Sequence, residues 1–224
     1  MARMRPDEIA AAMRRAVRER VFPPGQVLNQ DDLARRFGVS RIPLREALRT
    51  LVGEGLILMK PGLGAIVTEL QAEEVNELYG LRLQLEPQLA PYVVASLGRQ
   101  HVDNLDGLVC GMAELPPEQS EEWSNLNYRF HRRLYELSGR KHSTRLVVQV
   151  LNLVEPYARV HAHVLGSRPQ MQQQRAAIVA ALRGADAARV QEIIVDSIEV
   201  ARAELVASMS ETPPRDLLRL LTDD

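Results

Sequence analysis

The sequence predicts a mostly α-helical protein in two parts: a small N-terminal unit of helices closed by one β-hairpin, and a longer unit built of helices alone. Three observations carry this. Apolar residues recur at helical spacing along nearly the whole chain, one stretch at residues 56–69 breaks that period, and the charge balance changes sign at the same place. Through Glu69 the chain has 12 Lys+Arg against 8 Asp+Glu, and beyond it 16 against 21. A net positive segment joined to a net negative one suits a nucleic-acid-binding part attached to a part with another task, although chance clustering gives the same count until a motif supports the split. With 46% hydrophobic and 25% charged residues in 224, general disorder is excluded and one core or two small ones can be filled. The expected boundaries are 1–69, 70–209 and a short tail, 210–224.

The elements follow in order. After Arg5-Pro6, the residues Ile9, Met13, Val17 and Val21 recur every fourth position, the stripe of a helix that buries one face, and Phe22-Pro23-Pro24-Gly25 ends it. Asn29 is a good N-cap, Asp31 and Asp32 suit a first turn, and Leu33, Ala34 and Phe37 give a helix of about two turns that stops at Gly38. Only Val39 precedes Ser40, a second N-cap. The helix IPLREALRTLVGE then tolerates Pro43 in its first turn and ends before Gly55. Two helices joined so tightly cross at a large angle. Residues 56–59 and 65–68 flank Pro61-Gly62-Leu63-Gly64 as a β-hairpin.

No strand signal returns after Gln71. Helical patterns cover about 72–98, 101–114, 120–138, 142–165, 169–184 and 186–209, the first of them bent or split by Pro87 and Pro91. In the tail, Pro213-Pro214 turns the chain and Leu217, Leu218, Leu220 and Leu221 face some surface, in a stretch too short to fold alone. The single cysteine, Cys110, excludes an intrachain disulfide and a multi-cysteine zinc site, and within LVCGM it reads as a small core residue. No apolar run approaches the roughly 18 residues of a membrane span, and MARMRPDEIAA lacks the apolar stretch of a signal peptide, so no membrane partner and a cytoplasmic location are expected.

In the helix after Ser40, Leu44, Ala47, Leu48 and Leu51 form the anchoring face. Arg41, Arg45 and Arg49 lie on another, and steps of four residues drift by only about 40°, so their guanidinium groups project as one ridge. Taken alone, such a row reads as a solvated face with Glu46 as its helix partner. Its context favours a different use. Arg35 and Arg36 sit on the preceding helix, Lys60 and two glycines sit at the hairpin tip, and the segment is net positive. Helix, turn, helix and hairpin describe a winged helix-turn-helix, whose Arg ridge fits a DNA major groove because the guanidinium fork matches guanine O6 and N7. Gly62 and Gly64, lacking side chains, let the wing backbone come close to the minor groove.

The run DDLARRFGVSRIPLREALRTLVGEGLI followed by PGLGAIV resembles the N-terminal winged helix of GntR-type bacterial transcription regulators over about residues 7–69. By that resemblance Arg35, Arg45 and Arg49 contact DNA, Ser40 and Arg41 open the recognition helix, and Gly64 lies in the wing. Ile42 stands where Thr is more usual. The all-helical remainder is similar to the FadR-like branch with its FCD effector domain, through LYGLRLQLEPQLA, NYRFHRRLYELSG and RAAIVAALRGADAARV, to about residue 205.

In much of that branch an Asp and three His hold a divalent metal that an effector carboxylate completes. This sequence departs from the pattern: Asn127, His131, Arg175 and Ser197 stand at the four positions. Asn is a poor ligand, Arg a permanent cation that repels a metal, and Ser is rarely a ligand for transition metals, so no metal cofactor is expected. Two readings of the pocket follow. Either Arg175 supplies the positive charge in place and holds an anionic effector by charge-assisted hydrogen bonds, with Asn127 and His131 one turn apart on one helical face, or the positions have filled with packing residues and the pocket is vestigial. Arg82, in LYGLRLQLE, matches a pocket-lining position and is a second anion-binding candidate. Ser197 completes the candidate effector set.

His161 and His163 point about 200° apart on a helix and cannot chelate one ion from that segment, while His101 and His142 read as surface residues at helix starts. No HExxH, GxSxG or phosphate-binding loop is present, and Gly62-Leu63-Gly64 is explained by a wing turn. The reading is a non-enzymatic, allosteric transcription regulator. Its expected partners are inverted-repeat double-stranded DNA, a small organic acid and a second copy of the chain.

Overall fold

The computed structural model describes residues 4–211, which divide into two compact units at Leu70-Gln71. The first holds three helices, α1 (Pro6–Arg18), α2 (Gln30–Phe37) and α3 (Arg41–Gly53), and three short strands, β1 (Val27–Leu28), β2 (Ile57–Lys60) and β3 (Gly64–Val67). Its core gathers Ile9 and Met13 of α1, Leu33 of α2, Leu44, Ala47 and Leu51 of α3, and Ile57, Ala65 and Val67 of the strands, all buried.

The stripe on α1 stops one turn earlier than its spacing predicts. The helix ends at Arg18, Arg20 takes a left-handed φ of 59°, and Val21 is 65% exposed while Phe22 turns inward. Asn29 caps α2 as expected, its Oδ1 accepting from the backbone N–H of Asp31 and Asp32 at 3.0 Å each. Gly38 closes that helix with a φ of 64°, and the Val39 N–H reaches back to Ala34 O at 3.0 Å. Only a residue free to adopt the left-handed region makes that stop without strain, which is what lets α3 start three residues later, at Arg41. Ser40 occupies the N-cap position of α3, but its side chain makes no capping hydrogen bond.

The hairpin is antiparallel, pairing Ile57 with Val67 and Lys60 with Gly64. β1 adds a third strand beside β3, giving the order β1-β3-β2, where the sequence suggested a hairpin only. Two residues are too few to show an alternating period.

The second unit is a bundle of α4 (Ala72–Leu85), α5 (Ala90–Ala95), α6 (Arg99–Glu114), α7 (Ser120–Glu136), α8 (Lys141–Arg159), α9 (Arg168–Arg183) and α10 (Ala187–Glu211). A 3-10 turn at Pro87–Leu89 separates α4 from α5, so Pro87 and Pro91 do split the first helical stretch. Long α10 packs along α4 and α9, while α7 packs on α6 and α8. Cys110 is exposed rather than in the core: Val109 and Met112 take the inward positions of α6, and one residue further rotates about 100° away. Past Arg159 the chain widens into a π-helical turn, Val160–Val164. The expected turn at Pro213-Pro214 and the tail leucines lie outside the described residues. Among the described residues no helix is long and apolar enough to cross a membrane.

Candidate DNA-reading surface and buried cavity

On the first unit, Arg45 and Arg49 stand exposed on α3, four residues apart, with no ion-pair partner among the described residues. They border a hollow shared with Gln30, Leu48, Val52 and Met59. Arg41 begins the same ridge but is held by Asp31, its Nε and Nη2 donating to the two carboxylate oxygens at 2.6 and 2.8 Å. Arg35 and Arg36 share Asp32, at 3.1 and 2.7 Å. These pairs are solvent-exposed and weak, so phosphate can displace them, whereas Arg45 and Arg49 are free at the outset. Gly64 has a φ of 83° and a Cβ placed on it would meet nothing, so its backbone conformation rather than crowding calls for glycine.

The second unit encloses a cavity of about 30 Å³. Arg82 reaches it from α4, Asn127 and His131 from α7, Glu155 from α8, His161 from the π-helical turn, Gln174 and Arg175 from α9, and Ser197 from α10. All five residues singled out in sequence as an effector set thus line one enclosure.

Their partners differ sharply. Arg82 is not a free cation: its Nε donates to Glu86 Oε1 at 2.5 Å and its Nη2 to Oε2 at 3.3 Å, and Tyr135 donates its hydroxyl to the same carboxylate at 2.5 Å. Burial alone would weaken the proton affinity of Arg82, but Glu86 more than restores it. Arg175, only 4% exposed, has no carboxylate in hydrogen-bond or ion-pair contact among the described residues. Its Nε donates to Asn127 Oδ1 at 3.0 Å and its Nη1 to Gln174 Oε1 at 3.3 Å. Burial brings its pKa down to about 10, so it remains a cation at neutral pH.

His131 stacks on Tyr135, and its Nδ1 is buried without a hydrogen-bond partner. Burial, then the Arg175 and Arg82 charges, hold its pKa well below the ordinary histidine value. Ser197 donates to Ile194 O at 3.1 Å, which leaves its oxygen able to accept.

Residues 6–67 match the family described as bacterial regulatory proteins, gntR family, and residues 77–200 match the FCD domain. The chain belongs to the GntR family of bacterial transcription regulators, with an FCD C-terminal domain. A Bacillus subtilis relative, the uncharacterized HTH-type transcriptional regulator YdhC, is 34% identical over 143 residues, 59% of this chain and 60% of its own length. The gluconate operon transcriptional repressor of Bacillus licheniformis is 36% identical over 97 residues, 43% of this chain and 38% of its own. The matched stretches thus span less than two thirds of each of these relatives. In fold, the chain is similar to E. coli McbR/YncC, with a TM-score of 0.81 at 20% identity over 91% of this chain and 97% of that one. A GntR-type protein of Rhodococcus sp. RHA1 gives 0.78 at 21%, over 90% and 97%. The relatives are named as transcription regulators, and this chain shares their GntR and FCD domains.

The four family metal positions of this GntR–FCD regulator do not fit a divalent ion. Arg175 places a guanidinium bonded to Asn127 where a ligand would stand, and Ser197 offers only a neutral hydroxyl. Sequence reasoning set His161 aside, and it lies in the cavity wall. It does point away from His163, which meets Ser124 Oγ at 2.9 Å and the edge of Trp123. Reasoning from spacing also missed Glu86 and Tyr135. The Arg82-to-Glu86 interval of four residues signalled a helix pair, but nothing in sequence joined Tyr135 to it.

A buried neutral histidine makes stability depend on pH. His131 in the folded state resists protonation, whereas the unfolded chain takes the proton near 6.5. Below that value the unfolded state binds more protons, so stability is full above it and declines as pH falls. Thermal melts from pH 7.5 to 5.0 are expected to show that decline, and His131→Gln to show a shallower one. His161 and His163, also shifted down, the latter to about 4, supply the remainder. An unchanged slope in the variant contradicts the assignment.

Proposed function

We propose that this GntR–FCD regulator acts as a homodimer on an inverted-repeat operator, and that a small organic acid bound directly by Arg175, without a metal, sets its operator affinity. The observation that carries this reading is a buried cation with no carboxylate partner among the described residues, at the wall of an enclosed cavity. Such a charge is costly to desolvate unless an anion meets it, and Asn127 and His131 stand beside it with hydrogen-bonding capacity left over. Arg82 acts as part of the wall, since Glu86 already holds it, and Ser197 accepts from a ligand donor.

On the DNA side, Arg45 and Arg49 read bases from α3, Arg35, Ser40 and Arg41 meet the backbone at the helix starts, and Gly64 brings the wing close. A single winged helix makes too few contacts to select a site in a genome, and a two-fold pair reads two half-sites. An effector that changes the bundle by about 1–3 kcal/mol of coupling is enough to switch occupancy. This work belongs in the cytoplasm.

The test uses an operator selected from random DNA by the purified protein. Arg45→Ala and Arg49→Ala are each expected to weaken binding by about 1–3 kcal/mol and to lower sequence discrimination. In a panel of small carboxylates, Arg175→Gln is expected to keep operator affinity and lose the response to acid. Elemental analysis should find clearly less than one transition metal per chain. Unchanged DNA binding in both Arg variants, stoichiometric zinc or nickel, or an intact response in Arg175→Gln contradicts the proposal.

A further inference from the structure

The charges around the cavity can be paired off one by one. Arg82 is matched by Glu86. Glu155, in the wall, is matched by Arg159 of the next helical turn at 3.6 Å. His131 is neutral, and Tyr79 and Tyr135 are held protonated by burial. His161 Nε2 lies 2.9 Å from Glu204 Oε2, but that carboxylate is 42% exposed, beyond the wall, where solvent screens it. Arg175 remains, with two neutral amides for partners. Among the described residues, the enclosure therefore has one positive charge without a carboxylate in contact.

The amides add donors. Asn127 and Gln174 each give their carbonyl oxygen to Arg175, so each side-chain NH2 is left able to donate, and both residues line the cavity. About 30 Å³ holds roughly two water-sized groups, the scale of a carboxylate rather than of a long chain. A second carboxylate would find no second free cation among the described residues of the wall.

We propose that the cavity selects a compact organic acid carrying a single negative charge, and discriminates against di- and tricarboxylates of the same length. This rests on the effector reading above. It adds a number, one, to the charge of the ligand, read from the partners of each side chain.

The experiment is calorimetric titration of the full-length protein with matched pairs at constant ionic strength: propionate and malonate, butyrate and succinate, lactate and malate. The monoanion of at least one pair is expected to bind about tenfold or more tightly than its dianion. Glu86→Gln, which frees Arg82, is expected to narrow that ratio, and the wild-type ratio alone decides the matter if the variant does not fold. Dianions binding as well as monoanions overturn the charge assignment and leave the effector reading standing. Binding of neither class overturns both.

A different observation concerns the DNA-reading helix. Ile42 is 71% exposed at the start of α3, three and seven residues before Arg45 and Arg49, and so shares their face. A large aliphatic side chain on a surface that enters a major groove meets one apolar group there, the 5-methyl of thymine. The geometry points to Ile42 as a thymine-reading residue. Replacing thymines of a selected half-site one at a time by deoxyuridine removes only that methyl. One position is expected to lose about fourfold in affinity, the worth of a buried methyl group, and Ile42→Ala to be insensitive there. No sensitive position, or equal sensitivity in the variant, overturns the assignment.

Discussion

The C-terminal unit depends on how it keeps a guanidinium inside a helical bundle. Arg175 stands 4% exposed between α7 and α10, with hydrogen bonds to Asn127 and Gln174 but no opposite charge in contact. Desolvating a cation costs several kcal/mol unless compensated, and two amide oxygens compensate only part of it. The surrounding polar groups are arranged to make the deficit local. Glu86 and Tyr135 absorb Arg82, Arg159 matches Glu155, and His131 stays neutral. What is left is a single charge facing a small enclosed space.

Much of this was legible in sequence, and the reasons are specific. Asn29, Gly38 and the Leu44, Ala47, Leu48, Leu51 face fixed two tightly joined helices because a cap and a left-handed stop act within a few residues, while Ser40 marks the start of α3 without a side-chain capping bond. Gly62 and Gly64 marked the wing as turn residues without side chains, and both take a positive φ. Arg82, Asn127, His131, Arg175 and Ser197 were reachable through family resemblance, and the structure brings them to one cavity. The less legible features depended on distance in the chain or on too few residues. β1 has no period to read, and Val21 lost its place to a left-handed Arg20. The Tyr135 to Glu86 bond spans 49 residues and carries no sequence mark.

Charge pairing also separates two kinds of arginine in the molecule. On α3, Arg41 is occupied by Asp31 while Arg45 and Arg49 are free, so the helix presents two ready cations and one that must exchange partners. In the bundle, Arg82 is occupied and Arg175 is free. On the proposed reading, the free guanidinium in each unit marks the place where an anion from outside is bound: a polynucleotide at the surface, a small acid within. An occupied guanidinium shapes the wall beside it. The same residue type thus serves as framework or as binding group according to whether a carboxylate lies within reach.

If Arg175 is retained for a ligand rather than for the fold, its removal should make the empty protein more stable, since binding groups held unpaired in a core cost stability. The direct measurement is urea unfolding of the ligand-free protein carrying Arg175→Met, with Asn127→Leu included so that its acceptor is not orphaned. Stability above that of the wild type is the predicted result. A loss of about 3–5 kcal/mol, the size expected when a structural ion pair is broken, would contradict it.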